Sequence, residues 1–387
     1  MPVHEFQGSG PQADSTQYLA IRYRAWPWTC ALFFLSALLC VVAAEATARG
    51  FWRLCCGVPL LRPAQILYAY YPELRSSGEL PEAPPARAQT RPVQGDEFYD
   101  VLLLGGSVLH KSWGSVETEL REQLASLGHR DVRIFNLAMP AHTSRDSLLK
   151  YAALGDDRFD LVIFYHGINE ARVNNAPPEV FREDYAHYSW YEVVNTLAPY
   201  HGSAYFALPY TLRYLAIAAR SYLTKNRFIS TYEVRKEWAR YGKDPRSAAS
   251  FSRNVNAILE LASQRGERLV LMTFALYIPE DYSRKAFTEK RLDYRLHRAP
   301  IEWWGLPEHV MNAVSAHNEI VRGVAARHKQ VFLVDQASLM PGSALYFNDP
   351  CHLTAAGAAR FVENMLAVLG SDLAERSTRP WIDPVKR

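Results

Sequence analysis

Short apolar runs alternate with longer amphipathic stretches along most of the chain. Five runs are almost continuously apolar, which is typical of central strands in a parallel sheet. They cover residues 99–104, 132–136, 161–165, 269–274 and 331–334. The amphipathic stretches have helical spacing and cover residues 115–127, 144–154, 247–265, 308–328 and 355–369. Because strands alternate with helices, the pattern predicts a three-layer, flavodoxin-like α/β domain with a five-stranded parallel sheet.

One stretch, residues 171–245, interrupts this alternation. It is rich in aromatic residues and has helical periodicity, with Leu208, Leu212 and Leu215 on one predicted face. We expect an inserted helical cap. In the simpler interpretation, the leucine face packs on the domain. The alternative is that the basic face, which includes Arg213, contacts a membrane or an anionic substrate.

The N-terminal part contains twenty uncharged, mostly apolar residues between Arg24 and Glu45. As a helix they would be about 30 Å long, the hydrocarbon thickness of a bilayer. We therefore predict a transmembrane anchor over residues 25–48, with residues 25–44 in the membrane. A cleaved signal peptide is a second interpretation, because Ala44-Glu45-Ala46 and Ala46-Thr47-Ala48 both have the small-x-small pattern of cleavage sites. A buried core helix is a third.

The remaining segments complete the predicted organisation. Residues 1–24 form a disordered tail, and residues 49–96 form a connection with a proline-rich linker. The α/β domain occupies residues 97–375, and residues 376–387 form a second tail.

Composition and charge exclude some classes of function. A net charge of +3 over 387 residues is small and argues against a nucleic-acid partner. The five cysteines have no metal-ligand spacing, and a chain of this length needs no disulfide framework. We expect no metal and no cofactor.

Candidate chemistry follows the predicted strands, where parallel α/β sheets bind ligands. Gly105-Gly106-Ser107 follows the first strand, and glycines there allow a sharp turn that exposes the serine. Asn169 follows the third strand, where an amide can stabilise an oxyanion. Asp349 and His352 follow the fifth strand and could supply the base that serine needs. Each fragment alone is more often a turn, a helix cap or a surface histidine.

Together, these fragments resemble the SGNH or GDSL-type hydrolases over about residues 97–370, in particular a membrane-anchored bacterial branch. The motifs are Leu-Leu-Gly-Gly-Ser, Asp-Leu-Val-Ile-Phe-Tyr-His-Gly-Ile-Asn-Glu and Asp-x-x-His-Leu-Thr-x-x-Gly. The resemblance implies that Ser107 is the nucleophile, His352 the general base and then acid, and Asp349 the residue that orients the imidazole. It also implies an oxyanion hole made of the backbone N–H groups of Ser107 and Ala138 and the side-chain amide of Asn169.

The second block departs from the family, because alanines stand at positions 138 and 141 where the family has glycines. A backbone N–H serves equally well from alanine if φ is negative. If the loop requires a positive φ, alanine strains it.

Other residues in these loops are candidates for the substrate pocket. Gly106, His142 and His166 are expected to contribute to substrate binding, with the histidines as polar lining for a hydroxyl-rich substrate. A metal site that uses these histidines and His110 is the less favoured alternative. Cys351 is expected to be a small buried thiol rather than a nucleophile.

The sequence therefore predicts a serine-dependent esterase that hydrolyses a carboxylic ester through an acyl-enzyme on Ser107. O-acyl groups on a surface glycan or lipid are the expected substrates, and the domain is expected to be periplasmic or otherwise outside the cytoplasm. One alternative is an acyltransferase that uses a saccharide hydroxyl as acceptor. The other is a non-catalytic binding or assembly protein on the same scaffold.

Overall fold

The computed structural model of the protein describes residues 15–76, 92, 94, 98–128, 131–223 and 234–377. Most of the predicted proline-rich linker and C-terminal tail, and the first fourteen residues of the N-terminal tail, lie outside these ranges. The first helix begins at Ser15, within the segment predicted as a tail.

Five parallel strands form the centre of the domain. They are β1 (Tyr99–Gly105), β2 (Val132–Asn136), β3 (Leu161–Tyr165), β4 (Arg268–Met272) and β5 (Val331–Val334). Their order in the sheet is β2-β1-β3-β4-β5, with every neighbouring pair parallel. This is the flavodoxin-like order of a doubly wound sheet. The predicted fold class and all five strands are confirmed.

Twelve α-helices are present in the described part of the chain. They are α1 (Ser15–Cys56), α2 (Glu73–Ser76), α3 (Val116–Ser126), α4 (Ser144–Ala153), α5 (Ile168–Val173), α6 (Ser189–Leu197), α7 (Leu208–Leu223), α8 (Ser247–Arg265), α9 (Arg284–Thr288), α10 (Pro307–Arg327), α11 (Gln336–Leu339) and α12 (Ala355–Ser377). Helices α3 and α12 pack together, and α8 packs on both α4 and α10.

The two faces of the sheet have separate hydrophobic cores. Because successive side chains of a strand point to opposite faces, Leu103 joins the core that contains α3 and α12, whereas Leu102 and Leu104 join the core that contains α4 and α8. Strand β1 is buried along its whole length. The C-terminal end of β1 is therefore held firmly, at the side of the sheet where the parallel strands end.

The segment between α1 and the sheet packs against the domain. Trp52, Ile66, Tyr71 and Leu74 are all buried, in the same core as Leu102. The segment predicted as a connection is therefore, as far as Leu74, part of the folded unit.

Helices α6 and α7 form the predicted insertion between β3 and β4. The expectation that its leucine face packs on the domain is wrong for Leu212 and Leu215, which are 58% and 51% exposed. The buried face of α7 is the other one, which carries Tyr210 and Thr211. Trp52 of α1 packs against these two residues.

Among the described residues, one helical segment, Trp28–Cys56 in α1, is long and apolar enough to cross a membrane. None of the most apolar window in this segment is buried in the structure. The interpretation as a buried core helix is therefore wrong. A membrane span and a signal sequence both fit this length and composition.

Candidate active site

Ser107 and His352 are adjacent in space although 245 residues separate them in the chain. Ser107 lies directly after β1, at the start of a short 3-10 turn, and its Oγ is 2.8 Å from Nε2 of His352. Nδ1 of His352 is 2.8 Å from both carboxylate oxygens of Asp349. Hydroxyl, imidazole and carboxylate thus form one hydrogen-bonded series, from the three residues that the motifs indicated.

Backbone N–H groups fix the Asp349 carboxylate. Its Oδ1 accepts hydrogen bonds from the N–H groups of Cys351 (3.1 Å) and His352 (2.9 Å), and its Oδ2 accepts one from Ala299 (3.2 Å). Asp349 is fully buried and His352 is 1% exposed. The carboxylate orientation, and with it the tilt of the imidazole, is therefore set by the backbone.

Trp113 stacks on the His352 ring, with centroids 4.3 Å apart and planes 25° apart. The guanidinium of Arg298 lies over the Trp113 ring, 4.8 Å from its centroid. This stack flanks the imidazole and keeps water from that face. Sequence reasoning missed Trp113, because nothing in its spacing connects it with residue 352.

The Asn169 amide lies beside the Ser107 turn in a defined orientation. Trp304 donates its indole N–H to Asn169 Oδ1 (2.9 Å), and Asn169 Nδ2 donates to the carbonyl of His142 (2.8 Å). An indole N–H can only donate and a carbonyl can only accept, so both bonds identify which amide atom is nitrogen. Within the described part of the chain, the bond to the His142 carbonyl is the one hydrogen bond that Nδ2 donates.

Gly106 makes this approach possible. A Cβ at position 106 would lie 2.8 Å from Asn169 Nδ2, so a side chain there would displace the amide. The absence of a side chain thus places the amide next to Ser107. In this structure, Gly106 therefore leaves space for the Asn169 side chain.

A small pocket opens between these groups, with a volume of about 220 Å³ that includes space open to solvent. It is lined by Gly106, Ser107, Val108, Tyr165, His166, Gly167, Ile168, Asn169 and Phe274. The serine and the amide thus face one shared space.

The loop after β2 differs from the predicted oxyanion hole. The backbone N–H of Ala138 donates to Asn136 Oδ1 (2.9 Å), so this predicted donor is already engaged. Positive φ occurs at Ala141, with φ 67°, and not at Ala138. Of the two alanines that replace family glycines, Ala141 therefore carries the strain.

The rings of His142 and His166 bond inside the fold. Nδ1 of His142 is 3.0 Å from Lys150 Nζ, and Nε2 of His166 is 2.7 Å from Ser147 Oγ. Burial lowers the pKa of each imidazole to about 3, so both are neutral. His166 still lines the pocket. The backbone carbonyl of His142 accepts a hydrogen bond from Asn169 and so helps to orient its amide.

Lys150 connects helix α2 with the loop after β2. Its fully buried Nζ bonds Glu73 Oε1 (3.0 Å) in α2 and the carbonyl of Leu137. Burial lowers the pKa of Lys150, while the Glu73 charge opposes that change. Sequence reasoning missed this pair, because its members are 77 residues apart.

Asp349, Cys351 and His352 each have a potential metal-ligand atom within 4.8 Å of the others. Burial raises the pKa of the Cys351 thiol well above its usual value, and the nearby Asp349 carboxylate adds to this effect. The thiol is therefore neutral, which does not suit a nucleophile. The imidazole and carboxylate bond one another instead.

Comparisons with known proteins give similar folds but no matching sequence. No family model and no curated protein matches the chain. A solved structure of LAE5, an α/β hydrolase from the metagenome of Lake Arreo, is 13% identical, and the match covers 70% of this chain and 95% of that one, with a TM-score of 0.39.

Two further solved structures are similar to the same degree. A GDSL-like lipase from Bacteroides thetaiotaomicron is 13% identical over 75% of this chain and 93% of its own, with a TM-score of 0.38. A family 3 carbohydrate esterase from Clostridium thermocellum is 11% identical over 72% of this chain and 98% of its own, with a TM-score of 0.38.

Proposed function

We propose that the protein is a serine-dependent ester hydrolase of the SGNH or GDSL type. The observation that carries this proposal is the hydrogen-bonded series of Ser107, His352 and Asp349. A serine hydroxyl becomes a useful nucleophile when an adjacent base takes its proton, and the base needs an acceptor that fixes its tautomer. These three residues meet both requirements.

The reaction begins when Ser107 Oγ attacks the ester carbonyl carbon and its proton passes to Nε2 of His352. The oxyanion accepts hydrogen bonds from the second N–H of Asn169 Nδ2 and the backbone N–H of Ser107. His352 then protonates the leaving alcohol, which leaves an acyl group on Ser107. Water, deprotonated by His352, then attacks the acyl carbonyl carbon. The bond to Ser107 Oγ breaks, His352 returns the proton to this oxygen, and the carboxylic acid leaves.

The size of the pocket supports a short acyl group. The small pocket beside Ser107 suits an acetyl or similarly short chain better than a long fatty-acyl chain. We propose O-acyl groups on a surface glycan or lipid as the physiological substrate class.

The same geometry favours an acyltransferase as a second candidate. His352 is 1% exposed, Ser107 is 7% exposed, and Trp113 covers one face of the imidazole. Exclusion of water lengthens the life of an acyl-enzyme and so lets a saccharide hydroxyl compete with water.

The anchor is proposed to remain uncleaved, with the domain outside the cytoplasm. Helix α1 continues without a break through both small-x-small patterns. Glu45 accepts two hydrogen bonds from the start of α7, and Ala48 is 4% exposed. Cleavage after Ala48 would remove both residues from the folded unit.

The test uses the full chain in detergent with aryl esters of increasing acyl length, and a fluorophosphonate label. We expect acetyl esters to be hydrolysed fastest, and Ser107→Ala to abolish both turnover and labelling. Ser112→Ala is the matched control, because Ser112 is an exposed serine five positions away. Labelling that persists in Ser107→Ala would overturn the proposal. A saccharide acceptor in the same assay, followed by detection of an acylated sugar, separates transfer from hydrolysis.

A further inference from the structure

Arg49 joins three segments of the chain at one level of helix α1. Its Nε bonds Glu45 Oε1 (2.6 Å) one turn earlier in the same helix. Its Nη1 donates to the carbonyl of Leu60 (2.8 Å), and its Nη2 donates to the carbonyl of Tyr205 (2.7 Å). One guanidinium thus holds the loop after α1 and the loop before α7 against the same point of the helix.

Glu45 strengthens this junction from the other side. Its two carboxylate oxygens accept the backbone N–H groups of Ala207 and Leu208, each at 2.8 Å. These N–H groups lie at the N-terminus of α7, where a negative charge stabilises a helix. The charges of Glu45 and Arg49 are therefore used to fix α1 to the insertion.

Trp52, about one turn after Arg49 in α1, extends the contact. Its indole N–H donates to Thr211 Oγ1 (2.8 Å), and its ring meets those of Tyr210 and Tyr214 edge to face, with centroids 5.5 and 5.2 Å apart. Trp52 is 1% exposed. The anchor helix therefore enters the domain as a packed element.

Four apolar side chains remain exposed in the two loops that Arg49 holds. Leu61 is 90% exposed, Tyr205 84%, Phe206 62% and Leu60 48%. We refer to these four residues as the collar. Exposed apolar side chains grouped around one point indicate an interaction surface.

The position of the collar along α1 matches one face of a bilayer. From Trp28, which is 74% exposed, to Arg49 the helix rises about 32 Å at 1.5 Å per residue. The hydrocarbon core of a membrane is about 30 Å thick. With Trp28 at one interface, the collar is at the other, where tyrosine side chains favour the headgroup level.

We propose that the collar inserts into the lipid interface on the side of the bilayer where the domain lies. The proposal rests on the uncleaved anchor of the proposed function and adds a second contact with lipid. It holds the domain at a fixed height and tilt, since α1 cannot swivel in the domain. The active site is then held at a fixed position relative to the membrane surface.

The test places a photoreactive benzoylphenylalanine at single positions of the full chain in nanodiscs of phosphatidylcholine and phosphatidylglycerol. Position 206 reports on the collar and position 28 on the anchor. Position 127 is the matched control, because Leu127 is 52% exposed at the end of α3, a helix of the other core. After irradiation, lipid adducts are detected by mass spectrometry, and turnover of a soluble aryl ester confirms that each variant is folded.

We expect lipid adducts at positions 206 and 28 and none at position 127. Adducts at 28 without adducts at 206 would overturn the collar proposal alone. Cross-links from position 206 to a second copy of the chain, in place of lipid, would also overturn it. If neither position forms adducts, the proposed membrane anchor and the collar proposal are both contradicted. The ester hydrolase is tested separately by Ser107→Ala.

Discussion

Trp304 donates its indole N–H to Oδ1 of Asn169 at 2.9 Å, across 135 residues of chain. Trp304 is 4% exposed, and its own carbonyl accepts a hydrogen bond from Asn175 (2.8 Å). An amide can rotate by 180° with little change of shape, which would exchange its donor and acceptor. The indole prevents this exchange, so Trp304 keeps the Asn169 N–H groups on the side of Ser107.

Trp304→Phe should therefore lower kcat about 10-fold or more while KM changes little. The lost hydrogen bond leaves the amide held only by the His142 carbonyl, so its orientation is less fixed. An oxyanion donor acts mainly in the transition state. Trp303→Phe is the matched control, because Trp303 is 37% exposed in the same turn. Equal kcat values for the two variants would contradict the positioning role.

Asp349→Asn should reduce kcat by about 10³ to 10⁴, the scale that serine triads lose on this change. Two backbone N–H groups point at Oδ1 and one at Oδ2, so an amide nitrogen meets a donor in either orientation. The imidazole then loses its fixed tautomer. Steady-state kinetics with an aryl acetate measure the loss, and circular dichroism checks the fold. Activity within tenfold of the wild type would show that Asp349 does not orient His352.

Ala141→Gly should stabilise the protein by about 1 kcal/mol, because a left-handed backbone costs alanine about 1–2 kcal/mol, and glycine loses part of that gain through its greater freedom when unfolded. The φ of Ala141 is 67°. Ala138→Gly is the control: without a positive φ to relieve, it should destabilise by up to about 1 kcal/mol. Both are measured by denaturant unfolding in one detergent. A destabilised Ala141→Gly variant would be inconsistent with strain at this position.

Stability should rise with pH between about 4.5 and 6.5. Burial lowers the pKa of four histidines, His142, His166 and His317 to about 3 and His187 to about 4. Below 6.5 the unfolded chain binds protons that the folded chain does not, so folding free energy is lost as pH falls. Each histidine contributes at most about 1 kcal/mol per pH unit, and this contribution is largest in the lower part of the window, where the unfolded histidine is fully protonated.

Glu170 opposes this trend, because burial raises its pKa from 4.5 to about 7. Between pH 4.5 and 7 the folded chain still holds that proton after the unfolded chain has lost it. The contribution of Glu170 to the free energy of unfolding therefore falls as pH rises through this range. Glu170→Gln should therefore make the rise in stability steeper. Thermal unfolding between pH 4.5 and 7.5 measures both effects. A flat or falling profile in the wild type would contradict the histidine assignment.

The sequence was sufficient for the elements that depend on local pattern. Continuous apolar runs predicted all five strands, and Gly266 ends α8 with φ 69°, as a glycine after a helix is expected to do. The motifs also indicated Ser107, which follows β1, and Asp349 and His352, which lie after β5 and α11 in the loop before α12.

Only the tertiary structure decided which groups are available at the site. It engages the Ala138 N–H with Asn136, turns the ring of His142 towards Lys150, and adds Trp113 and Trp304 from distant segments. It likewise packs Trp52 on the insertion and leaves the leucine face of α7 exposed. The physical reason is that periodicity reports which positions are apolar along one element, whereas a hydrogen-bond partner or a packing face depends on which other element arrives beside it.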